Sequence, residues 1–149
     1  MNLVVHRSVE INATPAEVWK AMTDPNITKL WIMGLEVSSD WKVNSSVMWK
    51  GVSNGKEIIH KGYVLKIEPK RFLQISDFGL ETGLEDIEAN YTRITYELSM
   101  KSNRTVLTVT EDKFNGDENR YKDAESFWDR VLLGIKVIVE QYSKHNSRQ

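Results

Sequence analysis

The chain has 149 residues, 40% of them apolar, which fits one compact domain over 1–149 and leaves no room for a second. Twenty Lys and Arg stand against twenty-one Asp and Glu, so a formal charge of -1 provides no field to hold nucleic acid or an anionic membrane. There is no cysteine, which excludes disulfides, thiol catalysis and thiolate metal sites and fits a reducing compartment. The most apolar stretch, Val131 to Val139, is nine residues long and contains Lys136, far short of the ~20 needed to span a bilayer. Met1 to Ile11 has neither a basic opening nor an apolar block, so no secretory signal is read and a cytoplasmic location is the expectation.

From Leu3 to Ile11 the odd positions read Leu, Val, Arg, Val, Ile and the even ones Val, His, Ser, Glu, a period of two that predicts a half-buried strand. Thr14-Pro15-Ala16-Glu17 supplies an N-cap, a proline at the first helical position and the glutamate of a capping box. Val18, Trp19 and Met22 give that short helix a buried face. Asp24-Pro25 repeats the signal, ending one helix and starting another. Short strands follow at Leu35 to Val37 and Ser46 to Lys50, and Asn54-Gly55 is a two-residue hairpin signal leading into a long β-like run from Glu57 to Ile67. Pro69-Lys70 is a turn, and Phe72 to Ser76 is the returning strand.

Between Gly79 and Asn90, four acids and two glycines without a basic residue predict a solvated loop. Tyr91 to Met100 and Thr105 to Asp112 form a further hairpin across Ser102-Asn103, with Ile94, Tyr96 and Leu98 matching Leu107 and Val109, and Phe114 closes the sheet. From about Asp117 to Ser143, Phe127, Val131, Ile135, Ile138 and Tyr142 recur at helical spacing, widened by Trp128, Leu132 and Val139. A stripe that broad needs one face of the sheet as its partner. The tail from about 143 to 149 is expected to fray.

This order of elements resembles the START-like, Bet v 1-like helix-grip fold, an α+β domain in which a curved antiparallel sheet of six or seven strands grips a long C-terminal helix. The run Ile11-Asn12-Ala13-Thr14-Pro15-Ala16-Glu17-Val18-Trp19-Lys20-Ala21-Met22-Thr23-Asp24-Pro25 resembles the "ApxexVWxaltDP" opening of the SRPBCC superfamily. More narrowly it is similar to the branch related to the activator of the ninety-kilodalton heat-shock protein's ATPase. Trp31, the "GxVlexxPpxrL"-like stretch Gly62 to Leu73, and Trp128 with Val131-Leu132 agree with that branch. The chain departs from it at Trp31-Ile32, where the branch has a double tryptophan, and at Asp77, where it has an aromatic. The resemblance implies a cavity between sheet and closing helix.

Chemistry is sparse. His6, His60 and His145 have no metal-ligand spacing and there are no thiols, so neither a metal nor a cofactor is expected. His6 lies at a solvent-facing parity. His60 and its neighbour Lys61 point to opposite faces, so the pair cannot act on one substrate. No nucleophile elbow or Gly-rich phosphate cradle occurs. Strand parity and the helix stripe place Val47, Trp49, Tyr63, Leu65, Ile75, Tyr96, Val109, Phe127, Val131 and Ile135 around the implied cavity, entered near the Trp31 to Trp41 loop.

Two charges share parity with apolar positions: Arg7 with Val5 and Val9, and Glu111 with Leu107 and Val109. Both lie at strand ends and reach solvent, or they give the cavity a polar handle, Arg7 anchoring an acidic headgroup and Glu111 pairing with it when the site is empty. Acidic stretches at Glu81 to Glu88 and Glu111 to Asp129 are solvated faces or docking surfaces for a basic partner. The leading expectation is non-catalytic binding of an apolar or amphipathic small molecule, as monomer or homodimer. The resemblance adds two alternatives, a co-chaperone-like protein-interaction module and a pocket enzyme of the cyclase or hydrolase kind.

Overall fold

The computed structural model describes residues 2–147. Its elements are strand β1 (Val5–Ile11), helices α1 (Pro15–Thr23) and α2 (Pro25–Trp31), strands β2 (Glu36–Ser39), β3 (Ser46–Ser53), β4 (Lys56–Glu68), β5 (Phe72–Gly79), β6 (Thr92–Lys101) and β7 (Arg104–Asp112), and helix α3 (Glu118–Ser147). The seven strands form one antiparallel sheet in the order β1-β7-β6-β5-β4-β3-β2, so the N-terminal strand closes one edge beside the last strand. This is the helix-grip architecture the sequence order resembles.

Local chemistry explains most boundaries. Thr14 Oγ1 accepts the Glu17 amide while the Glu17 carboxylate accepts the Thr14 amide, so two unpaired donors at the start of α1 are satisfied reciprocally. The Asp24 carboxylate accepts the Asn26 amide, and with Pro25 behind it the chain ends α1 and opens α2 at one residue. Asn54 (φ 53°) and Gly55 (φ 76°) both occupy the left-handed region, the geometry of a tight turn whose twist matches the strands it joins. Asp117 Oδ1 accepts the Arg120 amide and caps α3.

The helix runs on to Ser147, past the Ser143 limit of the apolar periodicity, because a backbone ladder continues without an apolar face. Arg148, Gln149 and the side chain of His145 lie outside what is described. The loop from Gly79 to Asn90 is mostly exposed, as its composition predicts, but folds into two 3-10 turns, Leu80–Thr82 and Glu88–Asn90.

Helix α3 lies over the concave face of the sheet and approaches the backbone of β1, α1 and α2 closely, while standing off from the central strands. Its C-terminal half closes the dry core: Ile135 is fully buried, Val131, Leu132 and Val139 nearly so, with Val5, Ile11, Val18, Leu107 and Val109 beneath and beside them. No helix among the described residues is long and apolar enough to cross a membrane.

Candidate functional site

Because α3 stands off from the central strands, its N-terminal half roofs a cavity of about 340 Å3, near the lower end of the ~300–1,000 Å3 typical of small-molecule sites. The sheet contributes Trp49 and Ile58 from β3 and β4, Ile94 and Tyr96 from β6. The roof is Ala124, Phe127 and Trp128 of α3, and Ile32 and Leu35 form an end wall. Aromatic packing organises these walls: Trp128 meets Tyr96 edge-on at 5.9 Å and Phe127 edge-on at 5.0 Å. Exposed Met33, Glu81, Thr82, Asp123 and Arg130 mark the rim. Met33 lies in the stretch between Trp31 and Trp41 where an entrance is expected; the opposite rim comes from the first 3-10 turn and α3.

One side of the cavity is polar. Trp49 and His60 are directly opposed across β3 and β4, and His60 is opposed to Gly79 on β5. That register sets the imidazole beside Asp77, with Nδ1 at 3.2 Å from both carboxylate oxygens. Nε2 lies 2.7 Å from Glu81 Oε1. Gly79 makes room for the second contact: a Cβ there would sit 2.6 Å from the same Glu81 oxygen. Burial opposes a charge on His60, but the hydrogen bonds to Asp77 and Glu81 outweigh it and push its pKa up to about 10. His60 is therefore an imidazolium at neutral pH, with both N–H groups committed to carboxylates.

Glu111, at the end of β7, is 7% exposed. Its Oε1 accepts the Trp128 indole N–H at 2.9 Å and its Oε2 the Thr92 hydroxyl at 2.7 Å. Burial, aided by the nearby Asp77 charge, raises its pKa to about 7, and the bonds from Thr92 and Trp128 hold back a larger rise. Tyr96, 5% exposed, has a phenol pushed upward by burial and then by the Asp77 and Glu111 charges, with no hydrogen bond contributing. Among the described residues no enclosed side-chain nitrogen or oxygen lacks a partner. The Tyr96 hydroxyl, which has none, must therefore open onto the cavity.

Of the expected lining residues, Trp49, Tyr96 and Phe127 face this space, as does Glu111 of the expected polar handle. Val47, Ile75, Val109, Val131 and Ile135 are buried but lie in the packed core, where α3 and the small helices close onto the sheet. Tyr63 and Leu65 are 54% and 39% exposed and point to the convex face. The reason is a register shift between Val64 and Lys66: strand parity counted backwards from inward-facing Ile67 inverts across the bulge.

Arg7 takes the inward parity but never reaches the cavity or Glu111. On edge strand β1 it meets the flank of α3, its Nε donating to Asp129 at 2.8 Å and Nη2 to Glu125 at 3.1 Å. His6 is exposed and bonds Thr110, as its parity predicts. His60, Asp77 and Glu81 escaped the sequence reading as a group. A usable signal was present: His60 with Val64, Asp77 with Ile75 and Glu111 with Val109 each put an ionisable residue on an inward parity. No group of metal-binding side chains is found among the described residues.

A curved sheet gripping a helix over an internal cavity defines a START-like, Bet v 1-like domain of the SRPBCC superfamily. The family profile described as "Activator of Hsp90 ATPase homolog 1-like protein" matches residues 12–140, and the chain belongs to that family. A protein of Cytophaga hutchinsonii solved in solution is 34% identical, with a TM-score of 0.77 over 94% of this chain and 95% of that one. The Aha1 dimer from Colwellia psychrerythraea is 19% identical, with a TM-score of 0.73 over 92% and 96%. DynU16, from the dynemicin biosynthetic locus, is 20% identical with a TM-score of 0.73; 95% of this chain matches 47% of that one. The last two likenesses speak to the fold alone. No curated protein matches the chain.

Proposed function

We propose that the protein binds a small amphipathic molecule in the cavity between the central strands and the N-terminal half of α3, without transforming it. The observation that carries this reading is the Tyr96 hydroxyl, buried in an aromatic-walled space and without a hydrogen-bond partner in the described chain. A phenol left unpaired in a packed core costs about 1–3 kcal/mol. Here a ligand or water completes its bonding, and apolar walls over most of the remaining surface select an apolar body.

Native mass spectrometry of the purified protein, compared with its denatured mass, tests the proposal. A retained mass of a few hundred daltons that is released on denaturation, and is lost in Phe127→Ala, is expected. An empty protein that takes up no member of a panel of fatty acids, sterols and aromatic alcohols would sink it. Co-chaperone-like contact with a protein partner is the second reading, favoured by the family's description and by a structural relative that is a dimer. An empty, monomeric protein that captures a heat-shock ATPase would replace the first reading with this one.

A further inference from the structure

Resting on that reading of the cavity, we infer that the polar head of the ligand is a cationic nitrogen, an ammonium or amidinium, seated between Glu111, Asp77 and the Tyr96 hydroxyl. The argument is one of hydrogen-bond supply. The donors beside Glu111 and Asp77 are spent: both His60 N–H groups point to Asp77 and Glu81, and the Trp128 indole and the Thr92 hydroxyl serve Glu111, while Arg120 gives one N–H of its guanidinium to the Asn90 carbonyl. At the two carboxylates acceptor capacity remains open. Each carboxylate oxygen of Glu111 and Asp77 retains a lone-pair direction beyond the bond it already makes, and the Tyr96 hydroxyl accepts as readily as it donates.

A ligand matching this wall must bring the donors. With Glu111 ionised, charge points the same way, because the lining carboxylates Asp77, Glu81, Glu111 and Asp123 outnumber the lining cations His60, Arg120 and Arg130 by one. The remaining walls, Trp49, Tyr96, Phe127 and Trp128, offer aromatic surface that attracts a cation in a desolvated site. Arg7, the expected anchor for an acidic head, is held outside by Glu125 and Asp129, which leaves Arg120 and Arg130 as the cations such a head would have to reach.

Calorimetric titration with three probes of one shape decides the matter: naphthylmethylamine, naphthalenemethanol and naphthoate, in buffer above the Glu111 pKa. The amine is expected to bind roughly tenfold or more tighter than the alcohol, with the acid weakest, and Glu111→Gln is expected to narrow the gap between amine and alcohol. Gln keeps an oxygen to accept the Trp128 N–H, and its amide nitrogen can donate to the Thr92 oxygen while the Thr92 proton turns to the Asp77 carbonyl, so the variant is expected to melt as a folded protein. Should it fail to fold, the order of the three probes on the unaltered protein still decides the inference. Naphthoate binding as tightly as the amine, or equal affinity for all three, would overturn the cationic head while leaving the cavity reading intact, and an amine preference undiminished in Glu111→Gln would overturn its seat at Glu111. If none of the three binds, the cavity reading and this inference fall together.

Discussion

Trp49, Tyr96 and Ile32 border two spaces of very different size under the same helix and sheet. On one side is the cavity of about 340 Å3; on the other, toward Met22, Trp31, Trp41 and Leu73, is a gap of about 10 Å3, room for a water molecule at most. Both sides have aromatic and aliphatic walls, and the charged residues stand on the open side alone. The difference lies in what descends on the sheet. On the packed side α1, α2 and the C-terminal half of α3 meet β1 and one another and fill the space with Ile135, Val139 and Trp31. On the open side α3 spans strands it does not touch closely, and the inward positions carry His60, which pairs with Asp77 and Glu81, and Glu111, which accepts from Thr92, polar contacts that do not fill the volume.

The sharpest break in this comparison is a pair of truncations. Ile135→Ala, on the fully packed side, is expected to lose about 2–5 kcal/mol in chemical denaturation. Phe127→Ala, on the roof of the cavity, is expected to lose less than about 3 kcal/mol, because its removed atoms already face open space. Equal losses would mean that the cavity is collapsed in solution and that the two sides are one core.

A second effect comes from protonation. His60 has its folded-state pKa raised from 6.5 to about 10, so its contribution to stability is complete below 6.5 and is lost as pH rises through 10. Glu111 rises from 4.5 to about 7, so the folded state holds a proton the unfolded chain releases, and stability falls with pH across that window as well. Denaturation midpoints followed over pH are expected to fall on both ranges, His60→Gln flattening the upper and Glu111→Gln the lower. A profile unchanged by His60→Gln would show that the imidazolium is not held by Asp77 and Glu81.

The smallest effect belongs to Arg7. Its pairs with Glu125 and Asp129 are partly solvated, so Arg7→Ala is expected to cost less than about 1 kcal/mol. Affinity for any cavity ligand is expected to stay unchanged in the same titrations. A large loss of affinity would mean that this edge pair shapes the site after all.

Much of the fold was legible because its signals are local. The Thr14–Glu17 capping box, Asp24-Pro25, Asn54-Gly55 and the helical stripe from Phe127 to Tyr142 each act within a few residues, and each forms as its chemistry predicts. Parity also placed Trp49, Tyr96 and Glu111 on the concave face. It failed at Tyr63 and Leu65 because one extra residue in β4 reverses the alternation, and nothing in the local composition marks that residue. The bulk of the cavity wall was thus half visible, and of its polar side Glu111 was, while His60, Asp77 and Glu81 were not.

By itself the sequence determined the order and type of the main elements and the ends that a cap or turn marks, since caps, turns and periodic faces are properties of short segments. It also determined the family, through a run of residues spread over most of the chain. Only the tertiary structure decided which inward-facing residues meet. His60 and Asp77 are seventeen positions apart, and they touch because the β4–β5 register puts Gly79 opposite His60 and lets Glu81 fold back over it. Only the path of α3 decided that one half of the concave face would be filled and the other left open. A helix is straight and a strongly twisted sheet is not, so a single rod resting on β1 must stand off from the strands beyond.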